Sequence, residues 1–175
     1  MAKKISFKLS ASSIQKAIKE LRRYELWIEQ KTKQLIEALA EIGVYEASVR
    51  FAAAQYDGIN DSDISAEETE TGWKIIASGR AVCFIEFGAG VYHNSGEPYP
   101  LPRPEGVVKI GEYGKGSGKR QGWVYRGDPG ASGRYISDDT NLVFTRGNPA
   151  AMPMYYASEE IKNRVAQIAR EVFST

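Results

Sequence analysis

Glu86 and His93 are the residues best suited to chemistry in this chain. Glu86 sits in an otherwise apolar run, Ala81-Val82-Cys83-Phe84-Ile85-Glu86-Phe87, which ends in Gly88-Ala89-Gly90. A carboxylate among large apolar side chains is desolvated, and desolvation is how an acid is tuned toward general-acid work. His93 is the only histidine, so any Ser-His-Asp or Cys-His arrangement must use it. A hydrolase built on Glu86 and His93 is therefore the enzymatic reading. It lacks a second acid placed to work with Glu86, and His93 stands in a loop-like stretch, Tyr92-His93-Asn94-Ser95-Gly96.

The structural reading of Glu86 is a brace. An unpaired buried carboxylate is costly, so it needs a partner: Arg80, Arg103 or Arg146, a cluster of backbone amides, or water. Cys83 is the only cysteine, which excludes an internal disulfide. It reads as a small buried strand residue. No Cys/His cluster has metal-ligand spacing, and no metal or cofactor is expected. The glycine-rich stretch Gly111–Arg120 fails as a phosphate loop. Gly118-Lys119 is followed by Arg120, and Tyr113 stands where the first glycine is needed. The basic loop 111–126, with Tyr113, Trp123, Tyr125 and Tyr135 to stack and Lys115, Lys119, Arg120, Arg126 and Arg134 to supply charge, leaves open a nucleic-acid-binding module. The balance of 23 basic and 22 acidic residues argues against global attraction to nucleic acid. The same aromatics and glycines suit contacts between subunits.

The elements that must position these residues follow from periodicity. Ile5–Leu9 alternates as a strand. Ser10, Ser12 and Ser13 offer caps for a short helix carrying Ile14, Ala17, Ile18 and Leu21. A second helix is expected from about Glu25 to Gln55, with Ile28, Leu35, Leu39, Ile42, Val49 and Ala53 on its apolar stripe. Asp63–Glu67, Trp73–Ser78 and the run 81–87 read as strands of an antiparallel meander. Residues 88–148 form a Gly/Pro-rich loop insertion, with short strands at Trp123–Arg126 and Leu142–Thr145. A last helix buries Ile161, Val165, Ile168 and Val172. The expectation is one α+β domain over 1–175, an antiparallel β-meander packed by a long N-terminal helix and a C-terminal helix. No stretch reaches the roughly 20 apolar residues of a membrane span.

Two segments carry a family resemblance. Phe84-Ile85-Glu86-Phe87-Gly88-Ala89-Gly90 resembles the "IEFGTG"-like segment of the minor structural proteins at the head–tail junction of long-tailed bacteriophages, the neck or tail-completion proteins. Thr145-Arg146-Gly147-Asn148-Pro149-Ala150, followed by Met152-Pro153-Met154, is similar to that family's entry into its final helix. The order of elements agrees from Ser12 to Phe173. Ala89 stands where the family pattern often has Thr, and the insertion at 88–148 is long. The resemblance implies a virion protein assembled in the host bacterial cytoplasm, with no catalysis and no cofactor. It implies a ring of this chain, a hexamer, that joins the head connector or head-closure protein to the tail tube or tail terminator, with DNA passing through unread. Glu86, Phe87, Gly88, Gly90, Arg146, Pro149, Met152, Pro153 and Met154 are then the candidate structural and subunit-contact residues.

Overall fold

A single unbroken helix, α1 (Ala11–Ala53), stands where two were expected. Between Ser13 and Gly43 the sequence holds neither proline nor glycine, and the Arg22-Arg23-Tyr24 junction consists of residues that a helix tolerates. Ser10 caps it through its hydroxyl, which accepts the Ser13 amide at 3.4 Å. Asn60 closes the other end by donating to the Phe51 carbonyl at 2.8 Å. At 43 residues, α1 is about 65 Å long. The computed structural model describes residues 8–94, 99–107, 119–129 and 134–174. The N-terminal strand expected at 5–9 and the basic loop at 111–118, with Tyr113 and Lys115, lie largely or wholly outside the described residues.

Strands β1 (Asp63–Thr69) and β2 (Gly72–Ser78) form an antiparallel hairpin, with Thr69 opposite Gly72 and Asp63 opposite Ser78. Ile64 and Ala66 alternate inward along β1. The apolar run that follows is not a third strand. Val82–Phe87 is a short helix, α2, which turns Cys83 and Phe84 outward and buries Ile85, Glu86 and Phe87. The buried-cysteine reading fails with the strand. A short apolar run has no period to separate helix from strand.

The expected single meander is thus two sheets. Within 88–148 a second sheet has the order β3-β5-β4, all antiparallel: β3 (Trp123–Arg126), β4 (Arg134–Ser137) and β5 (Leu142–Thr145). Central β5 carries Val143, which is fully buried. The C-terminal helix α3 (Pro153–Ser174) runs antiparallel to α1. Tyr156 lies beside Arg50, Ile161 beside Gly43, and Phe173 edge-on to Trp27. Of its expected stripe, Ile168 is buried and Val165 is exposed. Gly43 marks the tightest approach, since a Cβ there would overlap Ile75 of β2 and lie 2.7 Å from Ile161 of α3. The main core, Ala47, Phe51, Ala81, Ile85 and Ala157, gathers where the C-terminal half of α1 meets α2 and the start of α3. Because α3 ends near Trp27, residues 11–26 of α1 project about 24 Å past it. Among the described residues no helix is long and apolar enough to cross a membrane.

Candidate functional site

The two segments singled out in the sequence cross each other in space. After α2, Gly88 and Gly90 take positive φ values of 78° and 74°, and the chain between them pairs with the segment that follows β5. Ala89 and Asn148 form an isolated antiparallel bridge, each amide donating to the other's carbonyl at 3.0 Å. Gly147, with φ of 79°, makes this approach possible, because a Cβ there would overlap the Ala89 carbonyl.

Two buried asparagines lock the crossing. The Asn94 side chain donates to the carbonyls of Gly90 at 3.0 Å and Asn148 at 2.9 Å, and accepts the Ala150 amide at 2.9 Å. The Asn148 side chain donates to the Phe84 carbonyl at 2.7 Å and the Pro149 carbonyl at 3.2 Å. Both satisfy backbone groups that burial would otherwise leave unpaired.

Glu86, 3% exposed, fastens the start of α3. Its Oε2 accepts the Met154 amide at 2.8 Å, and its Oε1 accepts the Tyr155 amide at 3.1 Å and the Tyr99 hydroxyl at 3.0 Å. The residue before Pro153 is Met152, held at φ of 53°, whose side chain has no oxygen to cap the helix. Pro153 at the first helical position has no amide to satisfy. Glu86 supplies the missing cap from a distant part of the chain, as a carboxylate at the positive end of the helix. The backbone repeats the splice, with Ala151 and Met152 donating to the Ile85 and Glu86 carbonyls at 2.9 and 3.3 Å. Burial raises the Glu86 carboxyl above its ordinary pKa, and the Met154, Tyr155 and Tyr99 donors pull the other way. The Tyr99 hydroxyl is pushed up by burial and then by the Glu86 charge.

Of the partners open to Glu86, the amide cluster is the one realised, joined by Tyr99. Arg80 instead bonds Asp61 at 3.0 Å. Arg146 is exposed and lies over Tyr92, donating to its hydroxyl at 3.0 Å. Arg103 lies over the buried Phe87 ring at 5.0 Å. The structure therefore brings Glu86, Met152, Pro153 and Met154 into one helix cap. It places Gly88, Gly90 and Pro149 around the bridge, with Phe87 beneath and Arg146 on the outside. His93 is exposed, its ring edge-on to Tyr92. Sequence reasoning missed Asn94, Asn148 and Tyr99. The one sequence signal was the absence of Ser, Thr, Asp or Asn immediately before Pro153, which leaves α3 needing a remote cap.

Beside the crossing lies an open, mostly apolar cleft of about 420 Å³, walled by Tyr56, Phe84, Trp123 and Tyr125. Acids stand at its rim. Asp57 accepts the Thr145 hydroxyl at 2.9 Å, and Asp61 accepts the Ala81 amide at 2.9 Å as well as the Arg80 guanidinium. The Ala81 amide first, then Arg80, hold the Asp61 carboxyl at about 2. Burial first, then the charges of Asp61 and Asp57, raise the Tyr56 hydroxyl despite Arg80. The cleft can take an apolar side chain flanked by positive charge. Among the described residues no group of three His, Cys, Asp or Glu is placed to hold a metal. In comparisons with known proteins, no family model, no curated protein and no solved structure matches the chain.

Proposed function

We propose that this chain is a structural subunit of a bacteriophage head–tail junction, a neck or tail-completion protein that works as a ring. The observation that carries the reading is the crossing itself. The two segments resembling that family are far apart in sequence, yet they meet at the Ala89–Asn148 bridge and at the Glu86 cap of α3. A crossing braced by buried amides makes a stiff subunit, which an assembly joint requires. The exposed apolar residues Ile14, Ile18, Leu21 and Leu26 on the projecting part of α1 supply surface for partners. The partners in this reading are further copies of the chain, the head connector or head-closure protein, and the tail tube or tail terminator.

Hydrolysis through Glu86 has less support. Both carboxylate oxygens already accept donors, and proton transfer to a substrate would release the cap on α3. The test is a particle preparation from which this chain alone has been deleted. Heads and tails that both form but stay unjoined are the expected images. Normal joined particles would refute the proposal.

A further inference from the structure

The molecule carries two complementary patches at opposite ends of one rigid helix. On the projecting part of α1, Lys19, Arg22, Arg23 and Leu26 fall at i, i+3, i+4 and i+7, so they share one face. All four are exposed, and Leu26 keeps 59% of its surface. The acids of this stretch, Glu20 and Glu25, flank that face, three residues from Arg23 and Arg22 respectively, and the cations of the projection outnumber them. At the far end, just beyond the last turn of α1, lies the aromatic cleft rimmed by Asp57 and Asp61, with exposed Asp63 beside them. The segment from Asp57 to Trp73 contains no lysine or arginine, and among the described residues the guanidinium lining the rim, Arg80, is engaged by Asp61.

We infer that the basic face of the α1 projection docks on the aromatic, acid-rimmed cleft of a second copy of this chain, with Leu26 entering between Tyr56 and Trp123 and the flanking cations meeting Asp57, Asp61 and Asp63. This deepens the ring reading and rests on it. Charge complementarity selects the occupant: a bare apolar cleft would accept any hydrophobic side chain, whereas this one is fringed by carboxylates and the turn before Leu26 on the projection presents Arg22 and Arg23 at i−4 and i−3. Geometry requires the second copy. Leu26 and Tyr56 are separated by about 45 Å of chain, nearly all of it continuous helix, so a molecule cannot fill its own cleft. The contact joins two different patches and is therefore head-to-tail. Such contacts repeat from copy to copy, closing into a ring where the rotation allows. A helix about 24 Å long and 10–12 Å across covers roughly 250–300 Å², well under the ~800 Å² per partner of a standard interface. Each joint is accordingly weak alone, salt-sensitive, and reinforced by ring closure.

The experiment uses the full-length chain with Cys83→Ser as background. One batch carries Leu26→Cys, and a second carries Ile59→Cys at an exposed position lining the cleft. Mixing them at high protein concentration and low salt, under mild oxidation, is expected to give a disulfide between the two variants that neither gives alone. Arg22→Glu with Arg23→Glu should lower the yield at least about tenfold, and adding Asp63→Lys to the partner should restore much of it. Disulfides only between two Leu26→Cys copies would overturn the inference by showing that the projections pair with each other. Rings by mass without the mixed disulfide would overturn the docking mode and leave the ring reading standing. A strictly monomeric protein without the disulfide would overturn both.

Discussion

Removing the Glu86 carboxylate should unfasten α3 from α2, and the structure allows the cost to be estimated. In Glu86→Ala, the amides of Met154 and Tyr155 and the Tyr99 hydroxyl all lose their acceptor. A buried donor left unsatisfied costs about 1–3 kcal/mol. Tyr99 can rotate toward water, so the two amides dominate. The void left by the side chain adds to the cost, while relief of the buried charge offsets part of it. The expected loss is about 3–5 kcal/mol, against a total stability of about 5–15 kcal/mol for a domain. Glu86→Gln keeps one oxygen for two of the donors but turns an amide nitrogen toward the Met154 amide, and should cost about 1–2 kcal/mol. Urea titration followed by far-ultraviolet circular dichroism reads both values, and thermal unfolding should fall by about 2–4 °C per kcal/mol. A Glu86→Ala protein within about 0.5 kcal/mol of the parent, or a Gln variant worse than the Ala variant, would refute the capping argument.

Three further outcomes follow from the crossing and its surroundings. Gly147→Ala places a methyl on the Ala89 carbonyl at a positive φ and should destabilise by more than about 1 kcal/mol in the same titration; a neutral result would mean that the bridge is not closed in solution. Asn148→Ala removes the donors held by the Phe84 and Pro149 carbonyls and should cost about 1–3 kcal/mol, with faster amide exchange at Ala89 as a local readout. Asp61 has a carboxyl depressed from 3.8 to about 2, so its contribution is complete above the unfolded value and is lost as pH falls from about 4 toward 2. Glu86 has the opposite sign: its raised carboxyl favours the folded state at low pH, and that contribution fades as pH rises through its folded value. Asp61→Asn should flatten the acid limb of a stability–pH curve, and an unchanged limb would contradict the assignment.

Much of the fold was legible because periodicity reports burial. The strands at Trp123–Arg126 and Leu142–Thr145 lie where the sequence reading put them, β2 begins one residue earlier than expected, and the final helix forms as expected, with Ile168 of its stripe buried and Val165 exposed. The α+β class follows from these elements. What failed was local ambiguity and long-range pairing. The run at 81–87 has the composition of a buried strand, but Asp61 holds the Ala81 amide at its entrance and the chain entering α3 takes up its last carbonyls, so a helix forms. Arg134–Ser137 became a strand only because β5 was there to pair with it. The candidate residues around Glu86 and Pro153 were recognisable as motifs. Their mutual contact was not, because Glu86 is satisfied mainly by backbone amides, which no residue letter encodes. His93, the histidine of the enzymatic alternative, lies on the surface beside Tyr92, as its loop-like segment suggested.

The central claim is that this chain acts by assembling, and the mass of its native particles tests that most directly. Purified protein should be measured by native mass spectrometry and negative-stain imaging over a range of concentration and salt, alone and mixed with the connector and tail proteins that the proposal names as partners. The account predicts closed rings of one discrete copy number, favoured by low salt and by those neighbours. A protein that stays monomeric under every one of these conditions would contradict it.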